Sequence, residues 1–221
     1  MPLQRHAVEF ETLSPETLDA WRGIPPAIVS DCMNRTHFMA AAIKPLNPGT
    51  ILVGQARTVT GMVGDNGISH AAIALIERGE ILVIDAGGYE DVAIWGAIMT
   101  RAAMARGIAG VVIDGANRDA AEIRELEFPC YSRAQVPSGP HKGFGGIIDG
   151  PISCGGCPVR PGDLIVGDDD GIAVVPLEWV DKMLTASLEK LRQEEDIIKQ
   201  IAEGKTTAEL LGVGEVEVIE G

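Results

Sequence analysis

Aromatic residues make up only 4% of this 221-residue chain, so its core must be assembled from Val, Ile, Leu and Ala. Basic residues are also short: 18 Lys and Arg against 32 Asp and Glu leave a formal net charge of −14. Without a basic stripe to neutralise phosphates, nucleic acid is not expected as a partner. A small anion remains possible, because a single Arg can capture one inside an acidic protein. No apolar run reaches the roughly 18 residues of a membrane span, and no charged-then-apolar signal opens the chain. Four cysteines do not make a disulfide framework in a chain of this size. A cytoplasmic protein with no membrane partner is expected.

Several chemistries lack their parts. His6, His37, His70 and His141 stand singly, with no H-x-H or H-x-x-x-H pair, so a histidine metal site or a Ser-His-Asp relay has little support. The nucleophile elbow is missing. Gly87-Gly88 follows a strand pattern but lacks the third glycine of a dinucleotide fingerprint. Cys154-Gly-Gly-Cys157 has the spacing of a metal or redox pair, yet Cys32 and Cys130 are isolated and Pro158 continues a loop. Small residues packed at a tight turn explain it better. Asp168-Asp169-Asp170-Gly171 lacks the alternating acids and final Glu of a calcium loop and reads as a hairpin turn.

What is present is an α/β pattern. Ser14 before Pro15 predicts a capped helix through about Trp21, and Pro25-Pro26 starts a short helix carrying Asp31. Strands are expected in the AAAIKPL segment and over Thr50–Met62, and a helix over Gly67–Arg78. Gln135–Gly150 reads as loop, and Gly162–Pro176 as a hairpin around an Asp/Gly turn. Leu177–Glu203 is the longest helical pattern, with apolar residues at three-and-four spacing. The acidic alternation EVEVIE near the end suggests an exposed strand. The division expected is an arm and helix over residues 1–24, one α/β domain over 25–204 and a tail over 205–221.

The stretch with most chemistry is Ile81–Glu122. The apolar run Ile81–Ile84 ends at Asp85, a helical pattern covers roughly Asp91 to Arg106, and a second run, Gly110–Ile113, ends at Asp114-Gly115. This βαβ unit crowds polar groups at its strand ends, where open α/β sheets bind ligands. In the loop after the second strand, Arg118 could grip a carboxylate or enolate with its planar fork. Asp119 could give an oxygen to a hard cation such as Mg2+. The alternative is a β-turn with a capping Asp and a surface ion pair. With thiol and histidine chemistry poorly supported, acids plus arginine suit metal-assisted work on a carboxylated substrate.

The run WGAIMTRAAMARGIAGVVIDGANRD, followed by CGGCPVRPGDLIVGDDDGIAVVP, resembles one family. It joins the 4-hydroxy-4-methyl-2-oxoglutarate / 4-carboxy-4-hydroxy-2-oxoadipate aldolases to the regulator of ribonuclease activity A-like proteins. The likeness runs from about Pro25 to Gly204. It implies a single-domain α-β-β-α sandwich of the swivelling β/β/α type, assembled as a trimer or a hexamer with sites between subunits. It also implies a lyase dependent on a divalent metal, Mg2+ or Mn2+, that releases pyruvate from 2-oxo acids by aldol cleavage or oxaloacetate decarboxylation. Carried over by position, the metal carboxylate falls on Asp119 and the arginine that binds pyruvate and its enolate falls on Arg118. The backbone cradle for the pyruvate carboxylate falls on Gly96, Ala97, Ile98 and Met99. A glutamate reaching a neighbour's site falls on Glu194, with Glu195 one step away. One departure matters: aldolases of this family carry an acid where this chain has Ala97. Two other readings follow, a non-catalytic binding protein like the ribonuclease regulators and an enzyme on another hydroxy or sugar acid. In the latter, Asp31, Glu90 or Asp91 would replace the missing acid.

Overall fold

A computed structural model describes residues 2–219. The chain begins with β1 (Leu3–Arg5), α1 (Pro15–Trp21) and α2 (Pro26–Cys32), followed by β2 (Lys44–Pro45), β3 (Leu52–Gly61) and α3 (Gly67–Leu75). The centre is β4 (Ile81–Trp95), α4 (Ala97–Arg106), β5 (Gly110–Asn117), α5 (Ala120–Glu125) and β6 (Cys130–Gln135). Then come β7 (Gly146–Ile148), β8 (Ile152–Cys154), β9 (Cys157–Val159), β10 (Leu164–Asp168) and β11 (Gly171–Val175). A 3-10 turn at Leu177–Trp179 leads into α6 (Val180–Ala202), and α7 (Thr207–Leu211) follows.

The expected α/β fold is present, and strand alternation shows how its four layers form. Leu82, Ile84, Val111 and Ile113 face α3, α4 and α5 in one core. The intervening residues Ile81, Val83 and Val112 point the other way, onto Ile165, Ile172 and Val174 of the β10–β11 hairpin. That hairpin in turn sends Leu164, Val166, Ala173 and Val175 against Trp21, Ile28, Val29 and Met183 of α1, α2 and α6. Every second residue changes layer, as the two-residue strand period requires. β3 joins the layers. Its first half, Leu52–Gln55, pairs antiparallel with β10, while Ala56–Thr60 pairs parallel with β4.

The segment before α1 is tied down. β1 lies parallel to β7, and Arg5 and Arg57 both bind the fully buried carboxylate of Asp149, at 2.7 and 3.0 Å. Ser14 caps α1 as expected, its hydroxyl accepting the Thr17 N–H at 3.1 Å. The Cys154–Cys157 stretch is a β-hairpin whose two glycines, at φ 57 and 74, make the tight turn. Asp168–Gly171 closes the β10–β11 hairpin.

Three expectations are corrected. The helix expected from Asp91 starts only at Ala97, because β4 does not stop at Asp85. It bulges through Gly87 and Gly88, both at positive φ, and resumes pairing with β5 at Tyr89, Ala93 and Trp95. Within the expected loop 135–150, β7 pairs with β3. The tail forms α7, stabilised by a capping box at Thr206 and Glu209. No strand forms between Glu215 and Ile219, and the last two residues lie outside the described range. Among the described residues, no helix is long and apolar enough to cross a membrane.

Candidate active site

The late start of α4 shapes the site. β4 ends at Trp95, whose carbonyl accepts the Arg118 N–H at 2.9 Å, so the ends of β4 and β5 are fastened together. Trp95 is itself fixed, with its indole N–H donated to Thr100 Oγ at 2.8 Å. Gly96 then turns the chain into α4 as its N-cap and, lacking a side chain, cannot cap it. The first N–H groups of a helix have no intrahelical partner. That of Ala97 is donated to Asp119 Oδ2 at 3.0 Å. Those of Ile98 and Met99 remain for a ligand, at the end of the helix that favours negative charge.

Asp119 has an unusual conformation. Its backbone is left-handed, at φ 59 and ψ 34, although it is not glycine. Such a residue carries a cost of about 1 kcal/mol or more. It occupies the N-cap of α5 yet makes no side-chain cap bond there. The carboxylate turns instead toward α4, with Oδ2 at 3.7 Å from Arg118 Nε. Gly96 makes this approach possible, since a Cβ there would lie 2.6 Å from Asp119 Oδ2.

These groups border a cavity of about 210 Å³. Gly96, Ile98 and Met99 of the α4 entrance line it together with Trp95, and Arg118 and Asp119 lie against that entrance. Asn66 and His70 come from α3 and the turn before it, and Pro140 and Lys142 from the loop before β7. Asp65 holds that loop to α3. One of its oxygens accepts the Gly67 N–H at 2.9 Å, and the other accepts those of Gly143 and Phe144 at 2.8 and 3.1 Å. Desolvation, and then the nearby Lys142 charge, lower the His70 pKa below the ordinary imidazole value.

The structure therefore gathers Gly96, Ile98, Met99, Arg118 and Asp119 around one space. Ala97 is buried behind the wall, with its N–H already engaged by Asp119. Glu194 lies half-buried on α6, outside this lining. Asp31 lines a separate hollow with Lys190 between α2 and α6, while Glu90 and Asp91 are exposed on β4. None of these three acids reaches the cavity. Sequence reasoning missed Asn66, His70, Pro140 and Lys142. Their arrival depends on Asp65 and on the pairing of β7, neither of which leaves a local pattern.

The residues suit a hard divalent cation. Among the described residues no three His, Cys, Asp or Glu side chains gather as a ligand set, which disfavours a closed zinc site. Asp119 presents a partly exposed carboxylate at the cavity, and Mg2+ needs only one or two carboxylates besides water and substrate. Burial keeps the enclosed thiols elsewhere protonated. Cys130 and Cys157 are pushed up to about 12 by desolvation, and Cys154 is raised by desolvation and then by Asp114.

Residues 26–174 match the RraA-like family, described as Aldolase/RraA. The chain belongs to this family. A Halalkalibacterium halodurans protein, provisionally named 4-hydroxy-4-methyl-2-oxoglutarate aldolase, is 40% identical over 79% of this chain and 83% of its own. The 4-hydroxy-4-methyl-2-oxoglutarate aldolase of Thermus thermophilus is 32% identical over 67% of this chain and 90% of its own. Among solved structures, Streptomyces coelicolor RraAS2 superposes with a TM-score of 0.77. It is 26% identical, over 85% of this chain and 98% of that one, and is described as an unusual member of the RNase ES inhibitor RraA protein family.

Proposed function

We propose that the chain is a divalent-metal-dependent lyase that releases pyruvate from 2-oxo acids, with the cavity between α3, α4 and Arg118-Asp119 as its active site. The observation that carries this reading is the joint position of Arg118, Asp119 and the uncapped α4 entrance around one cavity. The aldolase names of the relatives support it. Mg2+ or Mn2+, held by Asp119, would supply Lewis acidity for the substrate's ketone.

The chain's own residues account for the rest. The free N–H groups of Ile98 and Met99 seat the substrate carboxylate. Arg118 stabilises negative charge growing on the C2 oxygen as the C3–C4 bond breaks, which makes it a transition-state rather than a ground-state contact. Trp95 and Pro140 keep the cavity apolar around that charge, and charge interactions strengthen as water leaves. Oxaloacetate decarboxylation needs this enolate and no base for a hydroxyl. With Ala97 in place of an acid, decarboxylation is expected to outpace cleavage of branched hydroxy-oxo acids. Glu194 is assigned to a neighbouring subunit's site, in a cytoplasmic trimer or hexamer.

Pyruvate release from both substrate types, with and without Mg2+, tests this reading together with Asp119→Ala and Arg118→Ala. Asp119→Ala is expected to abolish metal-dependent turnover, and Arg118→Ala to reduce it about 10²–10³-fold, the range for losing one oxyanion contact. Turnover indifferent to chelation and to Asp119→Ala would remove the reading. Ala97 and the structural likeness to RraAS2 favour a second reading, a non-catalytic binding protein. Binding to a ribonuclease without turnover would promote it.

A further inference from the structure

Aldol cleavage needs a group that takes the proton from the C4 hydroxyl and a source of a proton for C3 of the product. The family position for an acid is Ala97, which is buried and carries no titratable group. The cavity wall offers four charged or titratable side chains: His70, Arg118, Asp119 and Lys142. A guanidinium does not release its proton in proteins, and Asp119 has Oδ2 bound to the Ala97 N–H. Glu90, Asp91 and Asp31, the acids able by sequence order to compensate, do not reach the wall.

His70 remains. It projects from α3, with its backbone N–H fixed to the Asn66 carbonyl at 3.1 Å. No hydrogen bond from another described residue engages its ring, so neither ring nitrogen is committed to the fold. Lys142, held beside it through the Asp65-anchored loop, places a positive charge on the same wall.

We propose that His70 is the proton carrier of this site, taking over the task of the acid that Ala97 replaces. The inference rests on the lyase reading. A neutral imidazole nitrogen accepts the C4 hydroxyl proton as the C3–C4 bond breaks, giving the carbonyl product and the pyruvate enolate with its electron pair on the C2 oxygen. The same imidazolium then returns that proton to C3 of the enolate. The balance closes without an external reactant. The lowered pKa of His70 is consistent with this order, because the ring enters neutral.

The experiment follows exchange of the pyruvate methyl protons in D2O with Mg2+, alongside aldol cleavage and oxaloacetate decarboxylation, in wild type, His70→Asn and His70→Ala. Proton exchange and aldol cleavage are expected to fall about 10²–10⁴-fold, the contribution typical of general acid/base catalysis. CO2 release should fall far less, because carbon–carbon cleavage there precedes the proton step. Added imidazole should restore exchange in His70→Ala. Wild type that exchanges and cleaves, with variants that match it or lose all three activities equally without rescue, would overturn the role of His70. Wild type that decarboxylates but neither exchanges nor cleaves would overturn it as well, and wild type with none of the three activities would overturn the lyase reading itself, and this inference with it.

Discussion

A methyl group on residue 96 would fall 2.6 Å from Asp119 Oδ2 and 3.2 Å from Arg118 Cγ, where no real Cβ can sit. The Gly96→Ala variant is therefore expected to push Asp119 off its bond to the Ala97 N–H and out of the cavity. A displacement near 1 Å can cost about 10²-fold in rate, and the fold should survive because Gly96 has an ordinary extended φ of −163. Circular dichroism matching wild type, with turnover down and the Mg2+ requirement raised, is the outcome to look for. Unchanged turnover would show that Asp119 does not need this approach. At this scale the sequence was informative where partners are neighbours. Arg118 and Asp119 adjoin one another at a strand end, so their joint use could be read directly. His70 and Lys142 share a wall because the loop before β7 is held to the turn before α3, by Asp65 on Gly143 and Phe144 and by the backbone bonds of His141 to Gly64 and Asn66, contacts with no periodicity or composition to announce them.

Elements were legible where periodicity was unbroken. The long amphipathic α6 and the β10–β11 hairpin follow from apolar spacing and an Asp/Gly turn. β4 was not, because Gly87-Gly88 reads as a stop while the structure uses the pair as a bulge that lets the strand go on to Trp95. That difference decides where α4 begins, and hence which N–H groups face the cavity. The β8–β9 hairpin carries a prediction of its own. Cys154 and Cys157 sit opposite one another and are buried, as is Cys130, whereas Cys32 on α2 is partly exposed. Burial raises all three enclosed thiols, so thiolate is scarce there at neutral pH. Labelling of the native protein at pH 8 should show one fast thiol, lost in Cys32→Ser, and the other three only on unfolding. Rapid modification of Cys154 or Cys157 would mean that the hairpin opens.

On the scale of the molecule, four layers enclose three apolar cores, and the arm before α1 is fastened by Arg5 and Phe10. Arg5 binds Asp149, and the Phe10 ring lies 5.3 Å from the Arg57 guanidinium carbon. The α/β class followed from strand and helix patterns. The order of the layers did not follow from those patterns, because it depends on one strand changing partners midway.

That strand has a kinetic meaning. Since β3 gives Leu52–Gln55 to β10 and Ala56–Thr60 to β4, neither sheet can melt while the other keeps its full complement of bonds. Trp21 lies in the core beneath α1, α2 and α6, and Trp95 in the core beneath α3, α4 and α5, so nature has placed a reporter in each. In each variant that keeps only Trp21 or only Trp95 of the three tryptophans, the urea midpoint and slope read by fluorescence should equal those read by far-UV circular dichroism. Two separated transitions would mean that β3 can let go of one sheet first. Its many pairings between distant parts of the chain also make refolding slow, because the ends of long loops must meet before any of those bonds can form.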